Sequence, residues 1–210
     1  MLRGCQVALK YAWAIPDERA VRIVTSLSPV IEVGSGRGYW GRLVQDAGGV
    51  VHCYDINPED PYTEPGEDRN PNWCDVKKGG PESVLRHPDC DTLMLCYPDD
   101  FEDQDTSVAL ECMELFKGST VIHVGELYGQ TVCKPGAFGK TTSPDAQVYL
   151  AENFHKVLQV PLPCWSANVD SLTVWKRTQV TEIEDQQYAD IPPEQKIDLT
   201  MCCEEMKHLM

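Results

Sequence analysis

The chain has 210 residues, 42% of them hydrophobic, which suits one ordinary globular domain and excludes a disordered composition. A net charge of −15 argues against direct nucleic-acid binding without a basic partner, because phosphate contacts need clustered Lys and Arg. No apolar run reaches the ~18–20 residues of a membrane span, and residues 1–10 lack the apolar core of a secretory signal. The expectation is an intracellular protein, cytoplasmic or nuclear, with no membrane partner.

In chain order, the first thirty residues read as a lead-in and a helix. Val7 to Ile15 carries Tyr11 and Trp13 and runs into Pro16. Pro16 with Asp17 and Glu18 predicts a helix start, and Ala20, Ile23, Val24 and Leu27 give its apolar stripe. Ser28-Pro29 stops it. Val30, Ile31 and Val33 then form a short bounded apolar run, read as a buried strand of a parallel sheet. Gly34, Gly36 and Gly38 follow at alternate positions, where the missing Cβ permits a sharp turn and close approach to a ligand. Tyr39 to Ala47 has helical spacing, with Trp40, Leu43, Val44 and Ala47 on one side. A helix reached through such a turn offers free N–H groups to an anionic or polar ligand.

Gly48-Gly49 ends that helix, and Val50 to Asp55 is a second strand. It ends on a carboxylate about twenty residues past the glycine loop, where such a group can accept from both hydroxyls of a ribose. Asp55 is also good turn chemistry before Asn57-Pro58. The long polar stretch from Glu59 to Gly80 holds a short third strand at Asn72 to Val76, and a helix follows using Pro81, Glu82, Val84 and Leu85. Leu93 to Cys96 is a buried strand stopped by Tyr97-Pro98. In an open parallel sheet ligands bind outside the carboxyl ends of strands, so Cys96, Tyr97, Pro98 and Asp99 should line a site. The acidic run after Asp99 leads into a helix from about Thr106; it suits the helix dipole, or forms a negative rim for a cationic substrate. Thr120 to Glu126 is a fifth strand. Glu126 at its end can hold an amine, act as a base, or cap the next segment. A helix from Pro144 to Phe154 and strands at Lys156 to Pro161 and Ser171 to Arg177 complete a domain over 1–177, followed by an acidic tail over 178–210.

The pattern Glu32-x-Gly34-x-Gly36-x-Gly38 resembles the first motif of class I S-adenosylmethionine (SAM)-dependent methyltransferases. A dinucleotide fingerprint would space its glycines G-x-G-x-x-G, which disfavours an NAD-dependent oxidoreductase. The resemblance implies an α/β, Rossmann-like fold with a seven-stranded, mostly parallel sheet, helices on both faces and an antiparallel seventh strand. It implies SAM as cofactor. Glu32, Gly34, Ser35, Gly36, Gly38, Tyr39 and Trp40 would meet its methionine part, Asp55 its ribose, and Ile56 and Asp75 its adenine. Cys96 would border it, with Tyr11 and Trp13 as a lid or as plain core. The family motif at the fourth strand is Asn/Asp-Pro-Pro-aromatic; this chain has Cys96-Tyr97-Pro98-Asp99, which leaves the acceptor atom open. Leu95 to Asp99 also resembles the Leu-Cys-Trp-Pro-Pro stretch of a eukaryotic group of methyltransferase-like proteins. Tyr97, Asp99 and Glu126 are the candidate catalytic residues around an acceptor. An active methyltransferase on a small-molecule or protein amine is the leading expectation. A SAM-binding scaffold subunit with a protein partner is the alternative. Ten scattered cysteines without ligand spacing predict neither a metal nor a disulfide.

Overall fold

A computed structural model describes residues 3–58, 71–99, 106–131, 138–165 and 168–178. The predicted tail beyond Thr178, the acidic residues 100–105 and most of the stretch after Glu59 lie outside the described residues.

Helix α1 (Arg3–Lys10) opens the chain where only a lead-in was expected, and α2 (Glu18–Ser26) follows. Pro16 is not the first helical residue. Asp17 is the N-cap, its side chain accepting the Ala20 N–H at 2.7 Å, and Pro16 precedes it. Then come β1 (Val30–Val33), α3 (Tyr39–Asp46), β2 (Val51–Asp55) and β3 (Val76–Lys78). The third strand therefore begins where it was predicted to end, because Asn72 to Asp75 is used as a turn beside the glycine loop. A 3₁₀ turn at Pro81–Arg86 replaces the predicted helix. It buries Ser83 and Val84 and leaves Leu85 exposed. β4 (Thr92–Cys96), α4 (Val108–Leu115), β5 (Thr120–Gly125), α5 (Pro144–Asn153), β6 (Phe154–Pro161) and β7 (Ser171–Arg177) complete the order.

The seven strands form one sheet in the order β3-β2-β1-β4-β5-β7-β6. The first five strands pair parallel, whereas β7 runs antiparallel between β5 and β6. Strands β1, β4 and β5 are buried along their whole length, as parallel strands covered on both faces must be. Side chains alternate between faces. Val30, Met94, Ile122 and Val124 pack with Ala20, Ile23, Val24, Trp40 and Val44 of α2 and α3. Ile31, Leu93, Leu95 and Val121 pack with Val84, Ala109, Met113 and Leu150 on the other side. Helices thus cover both faces, and the fold is the expected α/β, Rossmann-like architecture of a seven-stranded, mostly parallel sheet with an antiparallel seventh strand. In α3 the buried face is Trp40, Gly41 and Val44, while Ala47 is exposed. Gly41 is there for space: a Cβ would lie 2.4 Å from the Cys53 sulfur.

Candidate functional site

Strand order reverses between β1 and β4, and a crevice opens beyond their carboxyl ends. It is a cavity of about 380 Å³. The glycine loop from Gly34 to Arg37 forms its floor, with Glu32 and Trp40 below. Asp55, Ile56 and Asn57 form one side, Cys96 and Tyr97 the other, and Ala8 to Trp13 of the lead-in lie across it.

The loop owes its path to backbone chemistry. Gly34 and Gly36 have φ of 76° and 55°, and an added Cβ at either would meet nothing within 4 Å, so both face open space. The Gly34 and Ser35 N–H groups both donate to the Tyr54 carbonyl, at 2.9 and 3.0 Å, bending the loop over the end of β2. Asp55 then ties the loop to the next turn: its Oδ2 accepts the Gly36 N–H and its Oδ1 the Asn57 N–H, each at 2.8 Å. A carboxylate has about four lone-pair positions, so two remain for a ligand. Ile56 is 68% exposed beside it, an apolar face open to the cavity.

Glu32 lies at the bottom, 2% exposed. Burial pushes its carboxyl up to about 8, opposed by the Cys53 thiol at 3.6 Å, so it is largely protonated at neutral pH. Cys74 continues this cluster, its sulfur 3.7 Å from that of Cys53 and 3.3 Å from the Gly38 carbonyl oxygen.

Indole donors hold the lead-in down. Trp40 donates to the Ala14 carbonyl at 3.2 Å, Trp73 to Lys10 at 2.9 Å and Trp165 to Trp13 at 2.7 Å. Arg37 donates to Lys10 as well, at 3.1 Å. The rings of Tyr11, Tyr39 and Trp73 meet pairwise at 5.1 Å. Tyr11 and Trp13 both border the cavity. Trp73, Trp165 and Arg37 were missed. The available signal was chemical, since a tryptophan at a packed surface needs an acceptor for its N–H.

Tyr97 follows β4 with φ of 50°, a left-handed conformation that costs a non-glycine residue of order 1–3 kcal/mol. Its N–H donates to the Val124 carbonyl at 3.0 Å. Its hydroxyl donates to Asp170 at 2.6 Å and accepts from Asn168 at 2.8 Å. Burial drives the Tyr97 phenol above its ordinary range and pushes the Asp170 carboxyl up to about 6. The ring is thus fixed at the cavity wall with its hydroxyl already engaged.

Five predicted site residues fall elsewhere. Asp99 is 4% exposed and accepts from Ser107 Oγ at 2.8 Å, Ser143 N–H at 2.9 Å and Ala109 N–H at 3.2 Å, so it anchors the starts of α4 and α5. Glu126 is 1% exposed and accepts from Thr131 Oγ1 and the Val169 N–H, each at 3.0 Å, and so braces the segments around β5 rather than the cavity. Both were placed at the acceptor because they end strands; unmet N–H and O–H donors nearby claimed them instead. Gly38, with φ of 76°, precedes α3 and packs on Cys74, where a Cβ would lie 2.5 Å from the sulfur. Tyr39 packs with Tyr11 and Trp73 on the outer side of the lead-in. Asp75 is exposed in the turn before β3 and does not line the cavity.

Comparison with known proteins reaches this chain through structure. No family model matches it, and no curated protein sequence does. Among solved structures it is similar to magnesium protoporphyrin IX methyltransferase from Synechocystis PCC 6803 with bound S-adenosylhomocysteine (SAH). The identity is 12%, over 77% of this chain and 83% of that one, with a TM-score of 0.46. It is similar to the N-methyltransferase NodS from Bradyrhizobium japonicum WM9, at 11% identity over 77% and 94%, TM-score 0.46. A SAM-dependent methyltransferase from Archaeoglobus fulgidus matches at 15% identity over 84% and 100%, TM-score 0.45. Among the described residues no helix is long and apolar enough to cross a membrane.

Proposed function

We propose that this chain is a SAM-dependent methyltransferase whose cofactor lies in the cavity between β1 and β4. The observation that carries the reading is the shared cavity of the open glycine loop and the Asp55 carboxylate at the point where strand order reverses. Gly34 and Gly36 leave room for the methionine part, Asp55 offers acceptors to the ribose hydroxyls, and Ile56 offers an apolar face to the base. Glu32 supplies a carboxyl that ionises against a cation. When bound, SAM supplies an electrophilic methyl group for in-line transfer to a nucleophile. The chain's part is to orient and to exclude water, and well-placed reactants alone can lower a barrier by several kcal/mol. Tyr97 and the lead-in form the walls through which an acceptor would approach.

A neutral amine acceptor, on a small molecule or a protein, needs no strong base. That suits a site from which Asp99 and Glu126 are turned away, and kinship with the eukaryotic group having Leu-Cys-Trp-Pro-Pro is part of this proposal. The same observation favours a second reading, a SAM-binding scaffold subunit with little turnover. Methyl transfer from labelled SAM to fractions of a native extract separates the two.

Calorimetry with SAM and SAH tests the site. Asp55→Ala is expected to remove charged hydrogen bonds worth about 1.5–3 kcal/mol, roughly a ten- to hundredfold loss of affinity. Gly36→Val is expected to abolish binding, by adding bulk in the cavity at a positive φ. Unchanged affinity in both variants would place the cofactor elsewhere.

A further inference from the structure

On the sheet face opposite α2 and α3, three metal-ligating side chains converge outside the cavity. Ligand atoms of His52, His87 and Cys90 all lie within 4.8 Å of one another. Sequence spacing concealed this, because His52 comes from β2 whereas His87 and Cys90 belong to the loop before β4. That loop is a tight turn in which the Cys90 N–H donates to the His87 carbonyl at 3.0 Å. The His52 and His87 rings stack with centroids 3.8 Å apart and an interplanar angle of 14°. The stack sets the two imidazoles side by side at the mouth of the cluster, and imidazole nitrogen is among the commonest ligands of such metals. The Tyr54 hydroxyl lies 2.8 Å from His87 Nε2. With that nitrogen engaged, Nδ1 is left as the ligating atom, and a metal-bound histidine normally has just such an outer partner fixing its ring. Cys90 is buried, 3% exposed, while both histidines are half-buried, so the cluster has an inner sulfur and an outer nitrogen edge.

We propose that His52, His87 and Cys90 bind one divalent cation of the zinc class, with water completing a tetrahedron. Two imidazoles and a thiolate suit a borderline-soft ion and not magnesium or calcium, which take oxygen. Zinc bonds of about 2.0–2.1 Å to nitrogen and about 2.3 Å to sulfur would draw the ligand atoms together by roughly an ångström, tilting the stacked rings edge-first toward the ion. On binding, the Cys90 S–H bond breaks, the sulfur–metal bond forms from the same electron pair, and the proton passes to water. Such a site pins the loop before β4 to β2 and leaves the cofactor cavity untouched.

The full-length chain, stripped with a chelator, is titrated with Zn²⁺ against a chromophoric competitor and separately loaded with Co²⁺. One tight equivalent per chain is expected, with cobalt–thiolate charge-transfer absorption in the near ultraviolet. His52→Ala and Cys90→Ser should each weaken zinc at least tenfold, and the absorption should vanish in Cys90→Ser. Cys164→Ser, at an exposed thiol elsewhere, should retain both. If Cys90→Ser fails to fold, His52→Ala still decides, because His52 lies at the edge of the core and circular dichroism reports its fold. Absence of a tight equivalent in the parent chain overturns the proposal, as does parental zinc affinity in His52→Ala.

Discussion

A carboxyl sealed beneath the glycine loop resists ionisation until a positive charge is brought to it. Glu32 is pushed up to about 8 from an ordinary value of 4.5, chiefly by burial. In the folded chain it therefore keeps a proton that the unfolded chain gives up, and its contribution to stability is complete below about pH 4.5 and is lost as pH rises toward 8. A cation brought against Glu32 would reverse the preference and expel the proton. SAM affinity is therefore expected to rise with pH up to about 8 and then level off, with proton release below that point detected by calorimetry in buffers of different ionisation enthalpy. Glu32→Gln should abolish the proton release, stabilise the free chain at pH 8 and weaken SAM about tenfold, roughly 1.4 kcal/mol. Proton uptake on binding, or none in the parent chain, would mean that Glu32 does not meet the cation. The residue could be picked out from its place two before Gly34. Its protonation could not, because that depends on the apolar packing of Cys53, Cys96 and Trp40 around β1.

Asp99 shows how one side chain can join separate elements. Its carboxylate meets Ser107, the N-cap of α4, and the N–H of Ser143, the N-cap of α5. Asp99→Asn turns one acceptor into a donor that faces donors, and should cost about 2–3 kcal/mol in urea denaturation. SAM affinity should stay within about threefold of the parent, whereas a catalytic Asp99 would instead give normal stability with lost transfer. The strands around Asp99 could be read as elements because each is a short apolar run between turns. The capping network could not, since its partners lie far apart in sequence and meet only after β4 and β5 pair. For the same reason β3 was placed too early. Asn72 to Asp75 has no local pattern of its own, and its turn is set by the Trp73 and Cys74 contacts with Lys10 and Gly38.

For the molecule as a whole, ligand and fold share one free energy. A ligand held only by the native state at a hundred times its dissociation constant adds about 2.7 kcal/mol. For a chain of this size that raises the melting temperature by roughly 5–10 °C. SAM should produce such a shift and NADH none; equal shifts would favour a nicotinamide site. The sheet also carries a consequence for how the protein is made. β7 fills the gap between β5 and β6, yet it is the last of the seven strands to leave the ribosome. Until Ser171 to Arg177 has emerged, the nascent chain presents the bare backbone of β5, with Val121, Ile122 and Val124 alongside, to any other strand it meets. A chain ending at residue 170 should therefore aggregate during synthesis while one ending at 178 stays in the supernatant, so translation itself passes through an interval in which a chaperone, or speed, must stand in for the missing strand.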